Sequence, residues 1–128
     1  MGRIAYSAVV LDEKSRSKLL ANLAGNIPQG WEKIAHHMTI NLGEIKPEWE
    51  KYLGMIVPLQ VRTVGYSNNV MAVGVETSVP TVNKIPHITV AVNRKEGGKP
   101  HMSNQITNWK SIAFGLELKG TVEEVPYR

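Results

Sequence analysis

The sequence predicts an α+β domain with a largely antiparallel sheet. Strand-length apolar runs rich in Val, Ile and Thr recur along the whole chain. Only two or three segments carry helical spacing or helix-start signals. The segment Ser67-Asn68-Asn69 lies between two strand-like runs as a hairpin-like turn. With 128 residues the chain fits one domain, 1–128, better than two, and nothing marks an internal boundary.

Taken in order, residues 4–11 read as a strand that stops at Asp12. Asp12 suits the N-cap of a helix over 13–24. Leu19, Leu20, Leu23 and Ala24 form its apolar stripe, and Gly25 supplies the stop. Residues 26–30, with Pro28 and Gly30, are a loop. The next strand, 34–42, alternates: Met38, Ile40 and Leu42 take one face, and His37, Thr39 and Asn41 take the other. Residues 47–53 suit a short helical turn carrying Trp49, and 56–66 and 70–77 suit strands. A strand over 86–93 repeats the earlier parity, with Ile88, Val90 and Val92 opposite His87, Thr89, Ala91 and Asn93. Gly97-Gly98-Lys99-Pro100 is a loop, 103–112 reads as helical with Ile106 and Trp109 inward, and 114–125 closes the chain as strand.

Composition narrows the function. Hydrophobic residues make up 42% and charged residues 20%, an ordinary globular balance. There is no cysteine, which excludes disulfides and thiolate metal sites. No signal peptide is evident, and no segment approaches the roughly 18 apolar residues of a membrane helix. A soluble, cytoplasmic protein with no membrane partner is the expectation. The net charge of +4 suits an anionic partner such as RNA, although many soluble domains carry as much.

Two segments carry the chemistry: HHMTINLG, around His37 and Thr39, and PHITVAVN, around His87 and Thr89. Each sets a histidine and a threonine two residues apart on a strand, so both side chains leave one face while aliphatic neighbours anchor the other. Neutral imidazole accepts a proton from water, and imidazolium returns one to a leaving oxygen, both near neutral pH. The threonine hydroxyl is a compact donor for a non-bridging phosphate oxygen. A single His-x-Thr strand is common and structural. Two copies of matched parity suggest a base, an acid and two oxyanion donors with no metal or other cofactor.

These paired motifs, His37-Met38-Thr39 and His87-Ile88-Thr89, resemble those of the 2H phosphoesterases, and the order of elements fits over nearly the whole chain. PHITVAVN followed by GGKPHMSN is similar to the cyclic phosphodiesterase domain of fungal and plant-type tRNA ligases and related RNA-repair proteins. The resemblance implies a bilobal, pseudo-two-fold LigT-like fold with the four motif residues facing one another in a central groove. It implies hydrolysis of RNA 2′,3′-cyclic phosphate ends or related small nucleotides; a monomer is the expectation, though the sequence does not give the oligomeric state. His37 and His87 would then be the acid–base pair, and Thr39 and Thr89 the phosphate holders. Which histidine is the base depends on the side from which each approaches the substrate.

Other residues have two readings each. Tyr6 is a candidate to stack on a base or a core residue. Lys99, Ser103 and Asn104 are candidate phosphate or base contacts, or parts of a flexible surface loop; His101 shares that ambiguity. His36 points away from His37 in a regular strand, toward Met38 and Ile40. Asn41 and Asn93 are candidates to orient the histidines. Arg62 is a candidate phosphate contact that parity alone does not aim at the groove, whereas Trp31, Trp49 and Trp109 suit the core. A zinc site from His36, His37, His87 and His101 is disfavoured, since adjacent strand histidines diverge. Two rival functions remain: a hydrolase of cyclic oligonucleotide signals, like phage relatives of the superfamily that act against host defence, and a non-catalytic RNA-binding module.

Overall fold

The computed structural model describes residues 3–127, of which 113 and 114 by backbone alone. The main strands are β1 (Ile4–Leu11), β3 (His37–Leu42), β4 (Ile56–Tyr66), β5 (Val70–Glu76), β6 (His87–Val92) and β7 (Lys110–Pro126). A two-residue strand, β2 (Glu32–Lys33), lies beside β6. One α-helix, α1 (Glu13–Leu23), and three 3-10 helices, Pro47–Tyr52, Arg94–Glu96 and Pro100–Gln105, complete the chain. This is the α+β, antiparallel class that the sequence predicts. No helix among the described residues is long and apolar enough to cross a membrane.

The strands pair in the order β6-β3-β1-β7-β4-β5, and β5 pairs again with β6. Six antiparallel strands therefore close a barrel. Closure leaves no free edge among these six strands. Exchanging β1 with β5, β3 with β6 and β4 with β7 maps this ring of pairings onto itself. The core follows from the pleat: alternate residues of all six strands, among them Val9, Met38, Leu59, Val73, Ile88 and Leu118, join one buried cluster.

Helix α1 covers part of that cluster with Leu19 and Leu23, while Leu20 is half-buried and Ala24 exposed. Its start is fixed by the Asp12 carboxylate, which accepts from the Ser15 backbone N–H at 2.7 Å. Gly25 does not take the left-handed conformation of a glycine cap. Instead the helix unwinds through bonds from Asn26 and Ile27 to the Leu23 carbonyl.

Three expectations are corrected. The strand 34–42 is interrupted: Ala35 takes a positive φ of 42°, so only β3, from His37 on, is regular. The helix expected over 103–112 is a 3-10 turn that ends at Gln105, and β7 has begun by Lys110. The strict alternation of both motif strands fails after the threonine. Ser7 and Ala8 of β1 face Asn41 and Thr39, which leaves Ile40 as an extra residue. Met71 and Ala72 of β5 face Ala91 and Thr89, which leaves Val90 as an extra residue. Each is a β-bulge, and each flips the parity that follows. Leu42 is consequently 81% exposed, Asn41 is buried, and Ala91 joins the core.

Candidate active site

The two motif strands are direct neighbours. Met38 of β3 pairs with Ile88 of β6. The β3–β6 ladder is this one pair, because the chain turns at Ala35, whose backbone N–H donates to the Thr89 carbonyl. Met38 and Ile88 are buried in the core cluster, so the four polar side chains leave the opposite face.

His37 is half-buried. The Tyr6 ring of β1 stacks on it, with centroids 4.5 Å apart and planes 22° from parallel. Its Nδ1 lies 2.9 Å from Nδ1 of His36, so one of these nitrogens donates and the other accepts. His36 therefore does not point at the core. The break at Ala35 swings it out to an exposed position, edge-on to its neighbour. Burial first, then His36 and His87 nearby, pushes the His37 pKa down to about 4.

His87 is only 8% exposed. Its Nδ1–H donates to the Ile85 carbonyl at 2.7 Å, since a carbonyl can only accept. That bond leaves Nε2 for chemistry. Burial lowers the His87 pKa, and the Ile85 carbonyl opposes it. Both imidazoles are therefore neutral at neutral pH in the free protein. An entering anion favours their charged forms and works against the depression.

The expected orienting roles of Asn41 and Asn93 are corrected. Asn41 is turned inward by the bulge and ties the following turn, donating to the carbonyls of Leu42 and Glu44. Asn93 lies beyond β6, where its backbone accepts from Glu96 and Gly98. The orienting partners are instead a carbonyl, that of Ile85, and a neighbouring ring pair, Tyr6 and His36.

Thr89 is fixed from behind. Its hydroxyl donates to the Pro100 carbonyl at 3.1 Å and accepts from Ser103 Oγ at 2.8 Å. On the other motif, Thr81 donates to the Thr39 carbonyl at 2.8 Å, and the Val82 N–H donates to the Ile40 carbonyl. The bulge at Ile40 thus anchors the loop between β5 and β6.

The four motif residues line one groove of about 530 Å³, within the roughly 300–1,000 Å³ of ligand pockets. Tyr6, His101 and Asn104 share it. Ser103 is buried behind Thr89 and faces a neighbouring cavity. Lys99 is exposed and does not line the groove, because it precedes the 3-10 turn that brings Pro100, His101 and Asn104 there. Arg62 lies elsewhere, 3.3 Å from Glu76. Trp31 and Trp49 pack on the main core, and Trp109 packs on a second cluster around Ile106. Among the described residues no group of three or more His, Cys, Asp or Glu is arranged to hold a metal ion.

The sequence reading missed Leu42, Val82 and Asn83 in the groove. Leu42 is there only because of the bulge. Val82 and Asn83 belong to a loop whose one local signal is the Thr81 hydroxyl accepting from the Asn83 N–H.

Residues 13–125 match a sequence-family model described as the fungal tRNA ligase phosphodiesterase domain. No curated protein and no solved structure matches the chain.

Proposed function

The chain belongs to the fungal tRNA ligase phosphodiesterase domain family, and on that premise we propose that it hydrolyses 2′,3′-cyclic phosphates at RNA ends by metal-independent two-histidine catalysis. The observation that supports the reading is the single groove that both motif histidines and both motif threonines line. We read the two-fold order of the strand ring as the two-lobed plan of the 2H phosphoesterases.

In the proposed reaction the cyclic phosphate lies between the imidazoles. One neutral imidazole takes a proton from water as the water oxygen bonds to phosphorus. The other, charged in the complex, gives its proton to the ribose oxygen as that P–O bond breaks. The ring opens to a phosphomonoester, and the two histidines have exchanged protonation states. Solvent resets them. Thr39 donates to a non-bridging oxygen, where negative charge gathers in the transition state, and Thr89 does so once its hydroxyl turns from the Pro100 carbonyl. Tyr6 holds the His37 ring, and Asn104 and His101 flank the groove as substrate contacts.

Binding alone does not call for two neutral imidazoles of lowered pKa lining one groove, which favours an enzyme over an RNA-binding module. The test is turnover of a short RNA ending in a 2′,3′-cyclic phosphate, with a chelator present. The expected result is opening to a monoester at a rate that the chelator does not change. No opening, with cleavage of cyclic oligonucleotides instead, would move the assignment to the signal-degrading reading. A rate that collapses with chelator would require a metal-bound water.

A further inference from the structure

A second cavity of about 380 Å³ adjoins the groove, sharing Asn83, His87 and Asn104 with it. Lys84, Thr107 and Trp109 line its far side. It is one of three hollows that adjoin the groove, and their charges differ. The hollow past Tyr6 is lined by Glu123 and Glu124. The hollow past Leu42 and Val82 carries Glu44 and Glu50 against a single Lys46. The hollow beyond His87 has Lys84 and no carboxylate. A phosphodiester anion leaving the groove is repelled along the first two routes and attracted along the third.

Trp109 is built into this pocket as a fixed plate. Its Nε1–H donates to the Ile106 carbonyl at 3.1 Å. A Cβ on Gly65 would stand 2.9 Å from its ring, so the ring lies close against the β4 backbone. Its centroid is 6.2 Å from that of His87. An aromatic ring fixed beside a phosphate site, with a lysine nearby, is what a stacked base and its phosphodiester require.

From this we propose that the pocket binds the nucleotide that precedes, on the 5′ side, the terminal one carrying the cyclic phosphate, with its base stacked on Trp109 and the phosphodiester between the two met by Lys84. The inference rests on the cyclic-phosphate reading above, and it makes the substrate an oligonucleotide end.

The test compares two substrates with the full chain: uridine 2′,3′-cyclic phosphate, and the dinucleotide that adds one nucleotide to its 5′ side. The quantity read is the ratio of their kcat/KM values in wild type, Lys84→Glu and Trp109→Leu. We expect the dinucleotide to be favoured about tenfold or more in wild type, and the ratio to fall toward one in both variants. Lys84 is exposed, so Lys84→Glu tests the pocket even where Trp109→Leu fails to fold. Equal kcat/KM for the two substrates in wild type, or an undiminished ratio in Lys84→Glu, would overturn the subsite while leaving the cyclic-phosphate reading intact. Turnover of neither substrate would overturn that reading and the subsite with it.

Discussion

Met38 and Ile88 face each other across β3 and β6, both fully buried, and their pairing fixes the candidate active site. That buried pair joins the two motif strands, and His37, Thr39, His87 and Thr89 line one groove on the face away from it.

The pH dependence of the reaction follows from the lowered histidine pKa values. The proposed mechanism needs one imidazole charged and one neutral, and kcat/KM reports these states in the free protein. Both groups titrate below the ordinary 6.5, His37 at about 4. The profile of kcat/KM should therefore be a bell whose falling limb already begins below pH 6.5. A profile centred above pH 7 would contradict the burial of the pair.

Stability should carry the same signature. A histidine with a depressed folded pKa binds fewer protons folded than unfolded, so stability is complete above about pH 6.5 and is lost as the pH falls toward the folded pKa. For His37, between 6.5 and about 4, the loss is on the order of 3 kcal/mol. Urea unfolding at pH 7.5 and 4.5 checks it. His37→Phe should show a smaller difference between the two pH values than wild type.

Ser103 is 1% exposed and bonds the Thr89 hydroxyl. Ser103→Ala should cost about 1 kcal/mol of stability. It should also lower kcat more than it raises KM, because Thr89 loses the partner that aims it. Steady-state kinetics beside chemical denaturation separates the two effects.

Gly65 admits no side chain. A Cβ there would stand 2.5 Å from Ile106 Cγ2 and 2.9 Å from the Trp109 ring. Gly65→Ala should therefore destabilise by about 1–3 kcal/mol. Gly115→Ala, with no atom within 4 Å of the added carbon, should be nearly neutral. Paired melting curves decide it.

What the sequence made legible was local. The Asp12 cap, the bounds of β1 and the presence of four motif residues on two strands follow from spacing and residue type alone. The bulges were not legible, because Ile40 and Val90 look like ordinary strand residues and only the partners across β1 and β5 reveal them as extra. Hence Asn41, Leu42 and Ala91 were assigned to the wrong faces. His36 was misplaced for a related reason: nothing in its neighbourhood announces the left-handed Ala35. Lys99 was a candidate contact or a surface-loop residue, and it lies exposed outside the groove, because the 3-10 turn that follows carries its neighbours there instead. Ring closure depends on long-range pairing of β5 with β6, which periodicity does not encode.

The central claim is that His37 and His87 act together as acid and base. The most direct test is turnover of a 2′,3′-cyclic phosphate RNA, in chelator, by His37→Ala, His87→Ala and the double variant. Each single change should lower kcat by about 10²–10⁴-fold. The double variant should be little worse than either, as for residues that work as one unit. Wild-type turnover in either single variant would contradict the account.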